Sequence, residues 1–226
     1  MRKQKLVSNS IYHIFNRGVE KRPIFLDESD YFRFINNLAI FNDTKSVFNS
    51  KYRAKEIEIG KLDDRKLLVD ILAFCLMPNH FHLLLRQKKE GGISKFMNKL
   101  GVGYANYFNL KYERVGSLFQ GTFKVVLINK ESQFLYIPYY IHLNPLDLTT
   151  IDWRENGVNK PKLAIEFLDD YKWSSHRDYA GKSNFVGVLN KHPLNELFVN
   201  PENYLKEFKN FMEDFDFSDV SDLLLE

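Results

Sequence analysis

Two histidines stand one residue apart in His80-Phe81-His82. In an extended strand alternate side chains share a face, so both imidazoles point one way while Phe81 enters the opposite layer. Two imidazoles one pleat apart can chelate a divalent cation. Taken alone, the triplet more often marks two half-buried polar side chains bonded to backbone. A second group lies in QFLYIPYYIHLNP, residues 133–145. Tyr136, Tyr140 and Asn144 are spaced by four and form one stripe on a helix, whereas Tyr139 and His142 project elsewhere. An Asn one turn from a Tyr sets an amide oxygen, a possible third metal ligand, beside a phenol. The plainer use of that stripe is packing against a sheet. The two groups together are more specific. A phenol ionises near pH 10 and is a poor nucleophile at neutrality. It can attack a phosphodiester when a cation polarises the phosphoryl oxygen and stabilises the developing charge.

Between the two groups runs a basic, aromatic stretch. Residues 86–130 carry nine Lys/Arg and two acids, a net +7, whereas residues 201–226 carry two Lys and eight acids, a net −6. A basic middle suits a polyanion and an acidic tail a solvated or regulatory segment. Tyr104, Tyr107, Phe108, Lys111, Tyr112, Arg114, Phe119, Phe123 and Lys124 combine cations for phosphates with rings for unpaired bases, the needs of single-stranded nucleic acid. Tyr104 and Phe108 fall at core spacing.

The remaining composition narrows the class. The chain has 226 residues, 44% hydrophobic and 27% charged, with a formal net charge of +3. That is a globular protein of one domain with a small appendage, not a disordered one. No apolar run is long enough to span a membrane, and MRKQKLVSNS lacks a signal peptide's apolar core. The single Cys75 excludes a disulfide framework and a Cys-rich zinc site. These features imply a soluble, cytoplasmic protein.

The elements that must hold these residues follow from pattern. Residues 10–17 alternate as a strand ending at Gly18, and Asp27 caps a helix over 27–41. Residues 42–64 are polar and predict a loop or ragged hairpin. Strands follow over 67–76 and 80–86, antiparallel neighbours because Met77-Pro78-Asn79 leaves so little chain between them. A helix over 94–109, a strand over 117–128 and a helix over 130–144 complete the series, with Asn129 as cap, Pro145 as stop and a kink at Pro138. The order predicts an α+β layer, helices packed on an antiparallel sheet, in a domain over 1–150. Residues 151–226 form a mostly helical appendage, with a helix over 204–212.

The set YHIFNRG (12–18), MPNHFHLLL (77–85), SKFMNKLGVGYANYFNLKYERVGSLFQGTFK (94–124), YIHLNP (140–145) and YKWSSHRDYAG (171–181) resembles the single-tyrosine HUH transposases, most closely the REP-associated tyrosine transposases. The likeness keeps its order over residues 8–181. It implies a ferredoxin-like fold and cleavage and rejoining of single-stranded DNA near hairpins, using Mg²⁺ or Mn²⁺ and a 5′-phosphotyrosine intermediate. By the resemblance, His80 and His82 are the metal-binding pair, Tyr140 the nucleophile ahead of Tyr136 and Tyr139, and Asn144 the third ligand. Asn16 and Arg17 fall in its NRG segment and Gln120 in its LFQG segment; with Tyr107, Lys111, Arg114 and Lys124 they are the expected DNA-binding residues. The partner implied is hairpin-forming single-stranded DNA, met by a monomer or homodimer. Pro138, Asp147 and Thr122 depart from the pattern, the last two removing expected positive charge.

Three rivals stand beside this reading. A catalytically silent nucleic-acid-binding module would have no need of the His, His, Tyr, Asn set. An HUH replication initiator or relaxase would share the chemistry but commonly differs in motif order or tyrosine number. A zinc hydrolase lacks a Glu or Asp at ligand spacing after His82.

Overall fold

The computed structural model describes residues 5–45 and 65–214. Four strands, β1 (Ile11–Arg17), β2 (Val69–Met77), β3 (His80–Gln87) and β4 (Lys124–Ile128), form one antiparallel sheet in the order β2-β3-β1-β4. Helix α1 (Glu28–Ile40) joins β1 to β2, and α2 (Gly92–Lys111) joins β3 to β4. This βαββαβ order with β1 and β3 at the centre is the ferredoxin-like arrangement, so the expected α+β class holds.

Local chemistry accounts for the elements. Asp27 accepts the Asp30 amide while the Asp30 carboxylate accepts the Asp27 amide, a reciprocal cap that fixes the start of α1. Pro78 and Asn79 make a two-residue turn that sets Met77 opposite His80. At Gly18 a Cβ would overlap the Arg22 carbonyl oxygen, which explains a glycine at the end of β1. The third helix, α3 (Glu131–Leu143), is capped at Lys130 rather than at the expected Asn129. The Gln133 side chain accepts both of their amides, at 3.3 and 3.2 Å, and closes the first turn from inside. Pro138 lies within α3, which continues past it to Leu143 and gives way to a 3-10 turn over Asn144–Leu148.

One strand is shorter than the alternation predicts. Residues 117–123 do not extend β4, because Gly116 (φ 90°) just before them and Gly121 (φ 74°) among them take left-handed conformations. They are held against the end of β1 instead, with the Gln120 amide donating to the Arg17 carbonyl and the Val19 amide to that of Leu118. The hairpin or loop expected before residue 65 falls mostly at 46–64, outside the described residues, as does the acidic tail from 215.

The sheet separates two cores. Tyr12, Ile14, Phe81, Leu83 and Leu85 face α1 and α2, joining Phe34, Leu38, Phe96, Leu100, Tyr104 and Phe108. Both Tyr104 and Phe108 are buried, as their spacing predicted. The other face carries Ala73, Cys75 and Leu84 against α3. A register shift between Ile71 and Ala73 turns Leu72 to that face as well. The same cluster takes in Trp153 of α4 (Trp153–Asn156), Leu168 of α5 (Pro161–Asp170), Tyr179 of α6 (His176–Tyr179) and Tyr204 and Phe208 of α7 (Pro201–Asp214). Helix α7 spans the helix expected over 204–212. Although β2 is an edge strand, all nine of its residues are buried. The segment after α5 covers its outer rim: Leu76 donates to the Trp173 carbonyl, Ser175 to that of Phe74 and Asn190 to that of Ile71.

Inside the second core runs a polar chain. His142 meets Ser175 Oγ and the Tyr204 hydroxyl, each at 2.8 Å; that hydroxyl meets His176 at 2.8 Å, and His176 meets Asp169 at 3.2 Å. Burial holds both imidazoles below their ordinary pKa; for His176 the Asp169 carboxylate opposes this without reversing it. The folded chain therefore binds fewer protons than the unfolded one once the pH drops below about 6.5, the unfolded imidazole value. Stability present above that pH is lost below it, by up to about 1.4 kcal/mol per pH unit for each histidine. Urea unfolding at pH 7.5 and 5.5 is expected to show a lower midpoint at 5.5. Equal midpoints would mean that neither ring stays neutral in the folded protein.

Candidate active site

Strand β3 delivers His80 and His82 to the α3 side of the sheet, with ring centroids 5.0 Å apart and planes at 85°. His80 Nδ1 lies 2.6 Å from Asn79 Oδ1. An amide oxygen only accepts, so His80 carries its proton on Nδ1 and presents Nε2 as the ligating nitrogen. His82 is fully buried, and its Nδ1 lies 2.9 Å from Nε2 of His13, whose ring stacks on it at 15°. Burial, followed by the positive charge of Arg154, pushes the His82 pKa down to about 3, so the ring is neutral, as a metal ligand must be.

Helix α3 places Tyr140 against this pair, with its ring 6.0 Å from that of His82 and nearly perpendicular. Tyr140 is fully buried, oxygen included, and that oxygen accepts a hydrogen bond from Arg154 Nη1 at 3.1 Å. One turn on, Asn144 donates Nδ2 to the Tyr140 carbonyl at 2.8 Å, which orients its Oδ1 toward Arg154 Nη2 at 3.1 Å. The competing tyrosines lie elsewhere. Tyr136 packs on Phe211, and Tyr139 is enclosed by Phe198, Tyr204, Phe208 and Phe211. Burial, with Glu207 adding to it, raises the Tyr139 pKa and makes that phenolate harder to form.

The expected DNA-binding residues divide between the two faces. Arg17 pairs across β1 and β3 with His80 itself and donates Nε to Gln120 Oε1 at 2.6 Å. Lys124 pairs with Phe15, which in turn pairs with His82. Directly opposed residues share a face, so Arg17 and Lys124 lie on the histidine side of the sheet, with Gln120 bonded to Arg17. Asn16 is on the other face, bonded to the Gly121 carbonyl. Tyr107 and Lys111 belong to the α1–α2 layer, where Lys111 binds Asp27 and Asp30 and the Tyr107 hydroxyl donates to Asp30. Arg114, just beyond α2, donates to Asn109 and lies over Phe108. The sequence pattern and the family resemblance together set these seven residues in one group; the structure brings Arg17, Gln120 and Lys124 toward the histidine side of the sheet.

Several residues of the site gave no signal at sequence level. His13 could have been found from the alternation of β1, but only with the β1–β3 register in hand. Arg154 and Trp153 lie in a stretch without periodicity. Asp147, read as a loss of positive charge, accepts hydrogen bonds from Trp153 Nε1 at 2.6 Å and Arg154 Nη2 at 2.7 Å, so its charge is answered locally.

A divalent cation fits the donor set. Asn79 and His13 engage Nδ1 of each ring, leaving Nε2 as the coordinating atom, and Asn144 Oδ1 has a second lone pair beyond the one Arg154 uses. Among the described residues no group of three or more His, Cys, Asp or Glu could hold a metal. No helix among the described residues is long and apolar enough to cross a membrane.

Solved structures similar to this chain include a REP-associated tyrosine transposase bound to a REP hairpin. It is 13% identical, with a TM-score of 0.46 over 82% of this chain and 88% of the other. A candidate transposase from Deinococcus radiodurans is 19% identical, with a TM-score of 0.36 over 62% of this chain and 95% of the other. No curated protein matches the sequence closely enough to count as a relative. The model of the IS200-like transposases matches residues 35–144, the stretch that holds both histidines, Tyr140 and Asn144, so over that segment the chain is similar to that transposase family.

Proposed function

We propose that the chain cleaves and rejoins single-stranded DNA, with Tyr140 as nucleophile and a 5′-phosphotyrosine as intermediate. The observation that supports this reading is the position of Tyr140, whose ring lies 6.0 Å from that of His82 and whose hydroxyl shares the Arg154 guanidinium with Asn144, while the alternative tyrosines are packed against α7 and the loop before it. The Tyr140 oxygen attacks the scissile phosphorus, and a new O–P bond forms. The P–O3′ bond breaks, the 3′ oxygen leaves with the electron pair and takes up a proton, and the phenolic proton passes to water. Rejoining is the same displacement in reverse, by a 3′-hydroxyl. His80, His82 and Asn144 would hold Mg²⁺ or Mn²⁺, and the bound cation would supply charge stabilisation at the phosphoryl oxygen. Arg17 and Lys124, on the same face, are placed to meet backbone phosphates. A hairpin-forming substrate follows from the motif resemblance.

The test is direct. The protein is incubated with end-labelled single-stranded hairpin DNA and Mn²⁺, then denatured. A labelled complex that survives denaturation and contains phosphotyrosine is expected. DNA bound without any such complex would instead identify a binding module on the same scaffold.

A further inference from the structure

Arg154 lies beyond the segment that matches the transposase model, yet its guanidinium reaches the reacting oxygen. Its geometry is fixed from three sides. Asp147 holds Nε at 3.0 and 3.2 Å and Nη2 at 2.7 Å, a forked pairing that fixes the plane of the group. The guanidinium lies 4.5 Å over the ring of Trp153, and Trp153 Nε1 holds the same Asp147 carboxylate. What remains of the fork points inward: Nη1 donates to the Tyr140 oxygen and Nη2 to Asn144 Oδ1, both at 3.1 Å.

We infer that Arg154 is a catalytic residue of the strand-transfer reaction, a fixed cation that donates a hydrogen bond to the Tyr140 oxygen as that oxygen gains and releases charge. The inference rests on the function proposed above. When the phenol attacks, its oxygen gives up a proton and carries negative charge before the new O–P bond is complete. When the strand is rejoined, the same oxygen is the leaving group and carries that charge again. A donor fixed at this atom therefore assists both directions, and guanidinium suits the task because it remains charged at every working pH. Asp147 acts through Arg154 as a positioning residue. This gives the acid after NPL a use: it aims a cation at the nucleophile.

Arg154→Ala separates this role from a merely structural one, because the space left by the side chain can admit free guanidinium. Single-turnover adduct formation on the hairpin DNA is measured for the wild-type protein and the variant. Hairpin affinity and Mn²⁺ affinity are measured alongside. The expected result is a fall in adduct rate of about 100- to 1,000-fold, with hairpin affinity changed by less than about threefold. Millimolar guanidinium chloride should restore the rate in a saturable manner, and sodium chloride at equal ionic strength should not. An unchanged rate, or a loss that guanidinium does not repair, would overturn the inference. A faster rate with tighter Mn²⁺ binding would overturn it too, making the guanidinium a plug in the site. If the wild-type protein forms no adduct, the strand-transfer reading itself has failed and this inference falls with it. Loss in Tyr140→Phe beside full activity in Arg154→Ala would sink the inference alone.

Discussion

Tyr140→Phe is expected to reduce covalent DNA adduct at least about a thousandfold, to background, while hairpin binding persists. The substitution removes one oxygen and keeps the ring, which stays packed among His13, His82 and Trp153. The folding cost is the lost contact to Arg154 Nη1, about 1–2 kcal/mol, too little to unfold a domain with two buried cores. Tyr136→Phe and Tyr139→Phe are expected to form adduct at close to the wild-type rate, because their hydroxyls belong to aromatic packing near α7. An adduct in Tyr140→Phe that disappears in Tyr136→Phe would transfer the chemistry to the other tyrosine.

The second large effect is expected at the histidines, and the two positions should differ in kind. His80 is half-buried at the start of β3, so His80→Ala should leave thermal stability nearly unchanged while Mn²⁺ affinity and adduct rate each fall about 100-fold or more. His82 is fully buried and hydrogen-bonded to His13. His82→Ala should therefore lose the same chemistry and also several kcal/mol of stability, the usual cost of emptying a ring-sized space in a core. Isothermal titration with Mn²⁺ and thermal melting of both variants would distinguish these outcomes. Wild-type Mn²⁺ affinity in His80→Ala would remove that ring from the ligand set.

The pairing of His80 with His82 was legible because a strand has a period of two and the segment around it is apolar. The helix stripe that carries Tyr140 and Asn144 was legible for the analogous reason, a period near four. What pattern alone left open was which tyrosine of that helix meets the histidines. That depends on how α3 is rotated, and α7 sets the rotation by taking Tyr136 and Tyr139 to its own side. His13 needed the pairing of β1 with β3, a contact between residues far apart in sequence. The partners of Tyr107 and Lys111 were not legible, because a count of charges is blind to partners. Asp27 and Asp30, some eighty residues earlier, neutralise that lysine. Residues 117–123 have the composition of a strand, yet two left-handed glycines keep them out of the ladder. Arg154 was invisible because its meaning lies in Asp147, Tyr140 and Asn144, none of which its own neighbours announce.

The covered rim of β2 has a consequence for how copies of the chain could grow together. With that side covered by the segment after α5, the sheet edge left for strand addition among the described residues is β4. Ribbon-like polymers need a donor rim and an acceptor rim on every unit, and this sheet offers only one. Edge-to-edge joining through the described strands therefore closes at a pair, which shields an aromatic-rich sheet from running on into fibres.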